Sequence, residues 1–259
     1  MLLFGIGLII YYFFNLLKYC REHDYYIWHL VTFQYIISLN KQRRQILLDD
    51  FYFYNKLSAY KKKEFEKRVQ HFLTNKTFVG GNGFIVTERM KVMIAATAVL
   101  ILFGRKAFSL SSFDRIEVYE DETIELDVMR KKRIIQISWS QFEHGFDFVT
   151  NGYNPGLKIM AMALDLEHQL GEDSIFNRHT YKTFHQIYKE EAQKYILSGK
   201  SKYDNYNRVD RNEYFGVAIE YFFERPEHFY ANQPGMYLAL SKLLRQDPLG
   251  MVRFKEREF

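Results

Sequence analysis

Residues 157–170 read Leu-Lys-Ile-Met-Ala-Met-Ala-Leu-Asp-Leu-Glu-His-Gln-Leu, and the function of the chain turns on this stretch. Leu157, Met160, Ala161, Leu164 and His168 recur at three- and four-residue spacings, so they share one face of a helix. A lone His on such a face is ordinarily a satisfied core residue. It gains chemical interest when a second helix brings it a carboxylate. Glu213 stands 45 residues downstream of His168, near the start of the helical run EYFGVAIEYFFERP. A His and a Glu on two packed helices can meet around one metal ion.

Outward from this pair the chain is rich in helices, with a small strand region in the middle. Only 4 Pro interrupt the sequence, which favours long helices over a sandwich of short strands. Ser58 to Thr74 is predicted helical, with Phe65, Val69, Phe72 and Leu73 on one stripe and Lys61, Lys62, Lys63 and Glu66 outside it. Phe78 to Gly83 reads as a tight glycine-rich turn; no Gly-Lys-Ser/Thr follows, so it is no phosphate loop. Thr87 caps a core helix from Glu88 to about Phe103, with Gly104 as its stop. Strands are expected at Arg115–Tyr119 and Ile134–Ser138, with a basic turn at 130–133 between them. A loop at 152–156 precedes the central helix. Further helices are predicted at Tyr181–Leu197, Asn212–Phe223 and Pro234 to about Arg245. The fold class is α+β, predominantly helical.

The front end has a different composition. Met1 to Leu17 contains no charged side chain and would span roughly 26 Å as a helix, close to the ~30 Å of a bilayer core. Lys18 can snorkel and Tyr19 can sit at the interface. A cleaved signal peptide would show a basic start and a small-x-small site, and neither is present. Lys18, Arg21, Lys41, Arg43 and Arg44 follow the span, so the positive-inside bias puts the rest in the cytoplasm. The expected organisation is a single-pass anchor in the cytoplasmic membrane (1–20), a juxtamembrane helix and linker (21–50) and a folded domain (51–259). Within the second part, Tyr25 to Asn40 is expected to lie along the membrane or on the domain. The charge of +5 comes from scattered residues without a basic stripe, which excludes a nucleic-acid partner. The single Cys20 excludes an internal disulfide framework.

The segments FVGGNGFIVTERMKV, KVMIAATAVLILFG, FDRIEVYEDETI, ISWSQFEHG, EYFGVAIEYFFERP and MYLALSKLLRQDP occur in this order. Together they closely resemble the Mlc titration factor A family of zinc metallopeptidases, over roughly Phe51 to Pro248. The resemblance implies a catalytic half like that of lethal factor and a gluzincin-type site. That site has His-Glu-x-x-His, a downstream Glu before an aromatic pair, and a Tyr seven residues ahead of that Glu. Glu213 before Tyr214-Phe215 matches the third metal ligand, and Tyr206 matches the Tyr. With His-Gln-Leu as the anchor of the match, His168 takes the second His position. Leu164 then stands at the first His and Asp165 at the general-base Glu.

That departure weakens the implied chemistry. Leu164 has no lone pair, and one zinc ligand is worth on the order of 3 kcal/mol, or about a hundredfold in affinity. Asp165 is one methylene shorter than Glu, which retracts a base by about 1 Å and can cost on the order of a hundredfold in rate. The expectation is weak zinc or none, at His168 and Glu213, with Asp165 and Tyr206 as residual catalytic groups. Glu167 or another carboxylate would have to serve as base if Asp165 turned ligand. His144, His179 and His185 offer imidazoles, but their spacing singles out none. The reading is a pseudopeptidase that binds a protein or peptide partner in regulation; the alternative is an active peptidase with a substitute ligand set.

Overall fold

A computed structural model of the chain describes residues 11–15, 38–105, 110–121, 133–147, 152–170, 176–197, 211–252 and 254. In chain order its elements are α1 (Lys41–Asp50), α2 (Tyr52–Asn55), α3 (Ala59–Asn75), β1 (Thr77–Gly80), α4 (Glu88–Leu102), β2 (Arg115–Tyr119) and β3 (Ile134–Ser138). There follow α5 (Trp139–Asp147), α6 (Pro155–Leu170), α7 (Arg178–Leu197), α8 (Arg211–Glu224), α9 (Pro226–Asn232) and α10 (Pro234–Leu244). The helices dominate and the three strands form one small sheet, so the predominantly helical α+β class holds.

At the centre is α4. Thr87 caps its start, its side chain accepting from the Met90 amide, and every residue from Val92 to Leu102 is buried. Such a helix is apolar all round because it is packed all round: α1, α3 and α6 lie against it. A helix ending in the core leaves carbonyls that water cannot reach. Two side chains supply the donors. Gln246 Nε2 donates to the Leu100 and Ile101 carbonyls, 2.9 Å each. The buried Arg68 guanidinium donates to the carbonyls of Leu102, Phe103 and Arg105 at 3.3, 3.3 and 2.7 Å.

Three expectations about the framework need correction. Residues 41–50, expected as a linker, form helix α1 packed on α4. Leu39 and Leu47 are buried there, Asn40 caps the helix, and Arg43–Glu88 and Arg44–Glu66 ion pairs tie it down. The folded unit therefore begins ahead of residue 51. The turn expected at 78–83 starts with a strand: Thr77–Gly80 pairs with β2, and only Gly81–Gly83 turns, with Asn82 at φ 51°. The order is β1-β2-β3 and both pairings are parallel; of the basic turn expected at 130–133, Arg133 lies in a turn at φ 57°. Residues 122–132, between those two strands, lie outside the described residues.

Of the expected anchor, residues 11–15 are helical, and the rest of 1–37 lies outside the described residues. No helix among the described residues is long and apolar enough to cross a membrane.

Gln246→Ala removes a donor from the Leu100 and Ile101 carbonyls at the end of α4, of which Leu100 keeps the Phe103 amide. It is expected to lower stability by about 1–3 kcal/mol, read as a reduced urea midpoint at unchanged slope.

Candidate functional site

Helix α6 begins at a tightly specified corner. Asn154 is its N-cap, the side-chain oxygen accepting from the Leu157 amide at 3.0 Å, and Pro155 takes the first helical position. The Asn154 amide donates to Glu220 Oε1 at 2.8 Å, and its side-chain nitrogen donates to Glu224 Oε1 at 3.0 Å and to the Gly145 carbonyl at 3.2 Å. Glu220 and Glu224 are neighbours on one face of α8. Burial raises the Glu224 carboxyl to about 7; the Asn154 hydrogen bond opposes the shift and the Glu220 charge adds to it.

These bonds place the C-terminal end of α8 beside the start of α6. Further along α6 the contact is with an earlier part of α8, so the two helices run antiparallel. Gly216 is a point of close approach. A methyl group there would stand 2.8 Å from Lys158 Cγ, 3.0 Å from the Lys158 carbonyl oxygen and 3.0 Å from Met162 Cγ.

Leu164 is 1% exposed and belongs to the hydrophobic core. Asp165 is fully buried, and both of its oxygens are engaged: Oδ1 accepts from the Tyr181 hydroxyl and Oδ2 from Gln169 Nε2 at 2.7 Å. The His168 ring packs against Tyr181 at 4.1 Å between centroids and against Phe176 at 5.4 Å. So Asp165 and His168 do converge, on Tyr181. Glu213 lies in the first turn of α8, with its side chain outside the described residues; Tyr206 lies outside them altogether. Glu167, the alternative base, is two residues from Asp165 on the helix and points elsewhere. Its Oε1 accepts from the Ser111 amide at 2.7 Å, the Ser111 hydroxyl at 2.8 Å and the Ser112 amide at 3.4 Å. Burial raises its carboxyl to about 7, against the Ser111 hydrogen bond and the Lys76 charge. It holds the segment at 110–112 against α6.

Two residues of α7 belong to this cluster and carry no spacing signal in the sequence. Tyr181 packs against His185 as well, at 4.4 Å between ring centroids, and His185 Nε2 stands 3.8 Å from Asp165 Oδ1. Of the three spare imidazoles, His185 is therefore the one beside the site. Tyr181 and His185, with Lys182, Gln186 and Lys189, also line an open depression of about 260 Å³.

The profile of a peptidase family, described as glucose-regulated metallo-peptidase M90, matches residues 34–245. The chain belongs to that family. The relatives it matches are distant. An uncharacterized protein of Synechocystis sp. is 24% identical over 229 residues, 79% of this chain and 83% of the relative. Mlc titration factor A of Yersinia pestis is 24% identical over 212 residues, 71% of this chain and 77% of the relative, and that of Yersinia pseudotuberculosis matches equally. The match from residue 34 agrees with a folded unit that includes α1.

The donor set at Leu164, Asp165 and His168 does not fit the metal of an M90 peptidase. Leu164 offers nothing and is sealed in the core. Asp165 already receives two protein hydrogen bonds, one from a phenol whose ring fills the space in front of His168. Among the described residues, no three His, Cys, Asp or Glu side chains are placed to hold a metal ion.

A pH dependence follows from the corner at Asn154. Unfolded, Glu224 titrates near its usual 4.5; folded, near 7. Between those values the folded state keeps a proton that the unfolded state has released. The resulting stability is complete below about pH 4.5 and is lost as pH rises through about 7. Glu224→Gln is expected to flatten that decline and to be more stable than the parent at about pH 8, measured by urea denaturation across the range.

Proposed function

We propose that this M90-family chain is a membrane-anchored protein that hydrolyses no peptides and acts by binding a protein or peptide partner. The observation that carries this reading is the Asp165–Tyr181 contact. Where the resemblance puts a general base, a carboxylate is fully buried and bonded on both oxygens, with no water-accessible lone pair to activate a nucleophile. The relatives named for titrating Mlc point the same way, because titration is an act of binding. The anchor is supported by Tyr11, Tyr12, Phe13 and Phe14, which stand 65, 64, 50 and 65% exposed on a helical segment that water solvates poorly.

The rival, a working peptidase with a substitute ligand set, has one observation in its favour: His185 lies beside Asp165. It also requires Tyr181 to leave.

The detergent-solubilised full chain is expected to carry substoichiometric zinc by elemental analysis and to leave a peptide library intact. One tightly held zinc together with peptide cleavage would overturn the reading in favour of the rival.

Deleting Met1 to Leu17 is expected to move the protein from the membrane fraction to the soluble fraction with its thermal transition preserved. A full chain that is soluble without detergent rules the anchor out.

A further inference from the structure

Gly216 fixes which part of α6 faces the expected ligand Glu213. A zinc site of the type implied by the resemblance needs two residues at i and i+4 on one helix, aimed at a carboxylate on its neighbour. Glu213 precedes Gly216 by one helical turn, so the two share a face of α8. Gly216 lies against Lys158 and Met162, which are an i, i+4 pair on α6. At 3.6 residues per turn, Lys158, Met162, Asp165 and Gln169 form one stripe of α6. Leu164 and His168 belong to a different stripe. Leu164 is in the core, and His168 packs on Phe176 and Tyr181. The antiparallel course of the helices also sets the Glu213 turn level with Met162 and Asp165, a turn short of His168.

We infer that the metal-binding frame falls on Lys158-Ile159-Met160-Ala161-Met162, where all three chemical positions are replaced and the Lys158 ammonium takes the place of the metal opposite Glu213. Lys158 then stands at the first His position, Ile159 at the general base and Met162 at the second His. Ile159 and Met162 are 6% and 4% exposed, the burial of packing residues. Lys158 is half-buried, with its stem against Gly216 at the α6–α8 seam, and its chain is long enough to carry the ammonium one helical turn along that seam. A carboxylate that would otherwise ligate zinc is stabilised by a cation when zinc is gone. This inference rests on the non-hydrolysing reading but moves its frame: the general-base position is held by Ile159 in place of Asp165, and the charge of the lost metal is supplied from within the chain.

Two measurements on the full chain test it. Lys158→His with Met162→His, leaving Glu213 in place, is expected to bind one zinc per chain, at least about a hundredfold tighter than the parent by the one-ligand estimate. Cobalt loading should give the visible spectrum of a four-coordinate site, and adding Glu213→Gln should abolish it. Leu164→His is expected to gain no metal. If Leu164→His acquires zinc while the folded Lys158→His/Met162→His variant stays metal-free, the frame is wrong and the non-hydrolysing reading survives. Zinc and peptide cleavage in the parent would sink that reading first. Should the double variant fail to fold, the parent background decides through the denaturation midpoints of Lys158→Met, Glu213→Gln and the pair. Strongly non-additive losses establish the ion pair. Additive losses overturn it.

Discussion

Every polar group of Asn154 is committed, and the geometry of the α6–α8 pair follows from that one residue. Its carbonyl accepts from the Lys158 amide at 3.0 Å and its side-chain oxygen from the Leu157 amide, which starts α6. Its two nitrogens bind Gly145, Glu220 and Glu224, which locks that start to the end of α5 and to one face of α8. Two carboxylates four residues apart on a buried helix face would repel each other. The arrangement persists because Glu224 holds its proton to about 7 and both groups receive hydrogen bonds from the same residue. With the helices pinned at this end, their antiparallel course sets every later pairing, including Gly216 on Lys158 and Met162.

The most specific words of the sequence turn out to be joints of the fold. In EYFGVAIEYFFERP, Glu220 and Glu224 are the partners of Asn154. In the closing RQDP, Gln246 caps the buried end of α4. Asp247 takes the Tyr237 hydroxyl and the amides of Leu249 and Val252, at 3.0 and 2.5 Å for the amides. A resemblance carried by such residues reports architecture strongly and chemistry weakly, which is why the family was legible from the sequence while its activity was not. The helices α3, α4, α6, α7, α8 and α10 and the strands β2 and β3 were legible from periodicity and caps, whereas the short helices α2, α5 and α9 were not read. Strand β1 was hidden because Thr77–Gly80 runs straight into Gly81–Gly83, and the glycines dominate a local reading. Helix α1 was hidden because its burial comes from α4, far along the chain, and its own sequence is mostly polar.

The site was legible only as a neighbourhood. Asp165 and His168 do come together, but the residue that joins them, Tyr181, lies on another helix at no diagnostic spacing. The frame on α6 was ambiguous for a physical reason. A helix buried on several sides carries apolar residues at almost every phase, so 164/168 and 158/162 both satisfy an i, i+4 pattern. A sequence pattern alone cannot say which stripe meets α8. The missing Cβ at Gly216 does, because a side chain there would meet Lys158 and Met162.

A metal site works by leaving its donors incomplete. The carboxylates and imidazoles that will hold the ion must keep lone pairs that the protein does not fill, at a place solvent and substrate can reach. Around Asp165 the opposite has happened. The phenol of Tyr181 and the amide of Gln169 complete its oxygens, Leu164 closes the core beside it, and the Tyr181 ring packs against both nearby imidazoles. Removing a partner from so buried a carboxylate would cost more than the bond itself is worth, because the charge would be left unsolvated. The buried Asp165 is therefore satisfied by the protein's own side chains. Those bonds tie α7 to α6 at the same helix whose start Asn154 locks to α8.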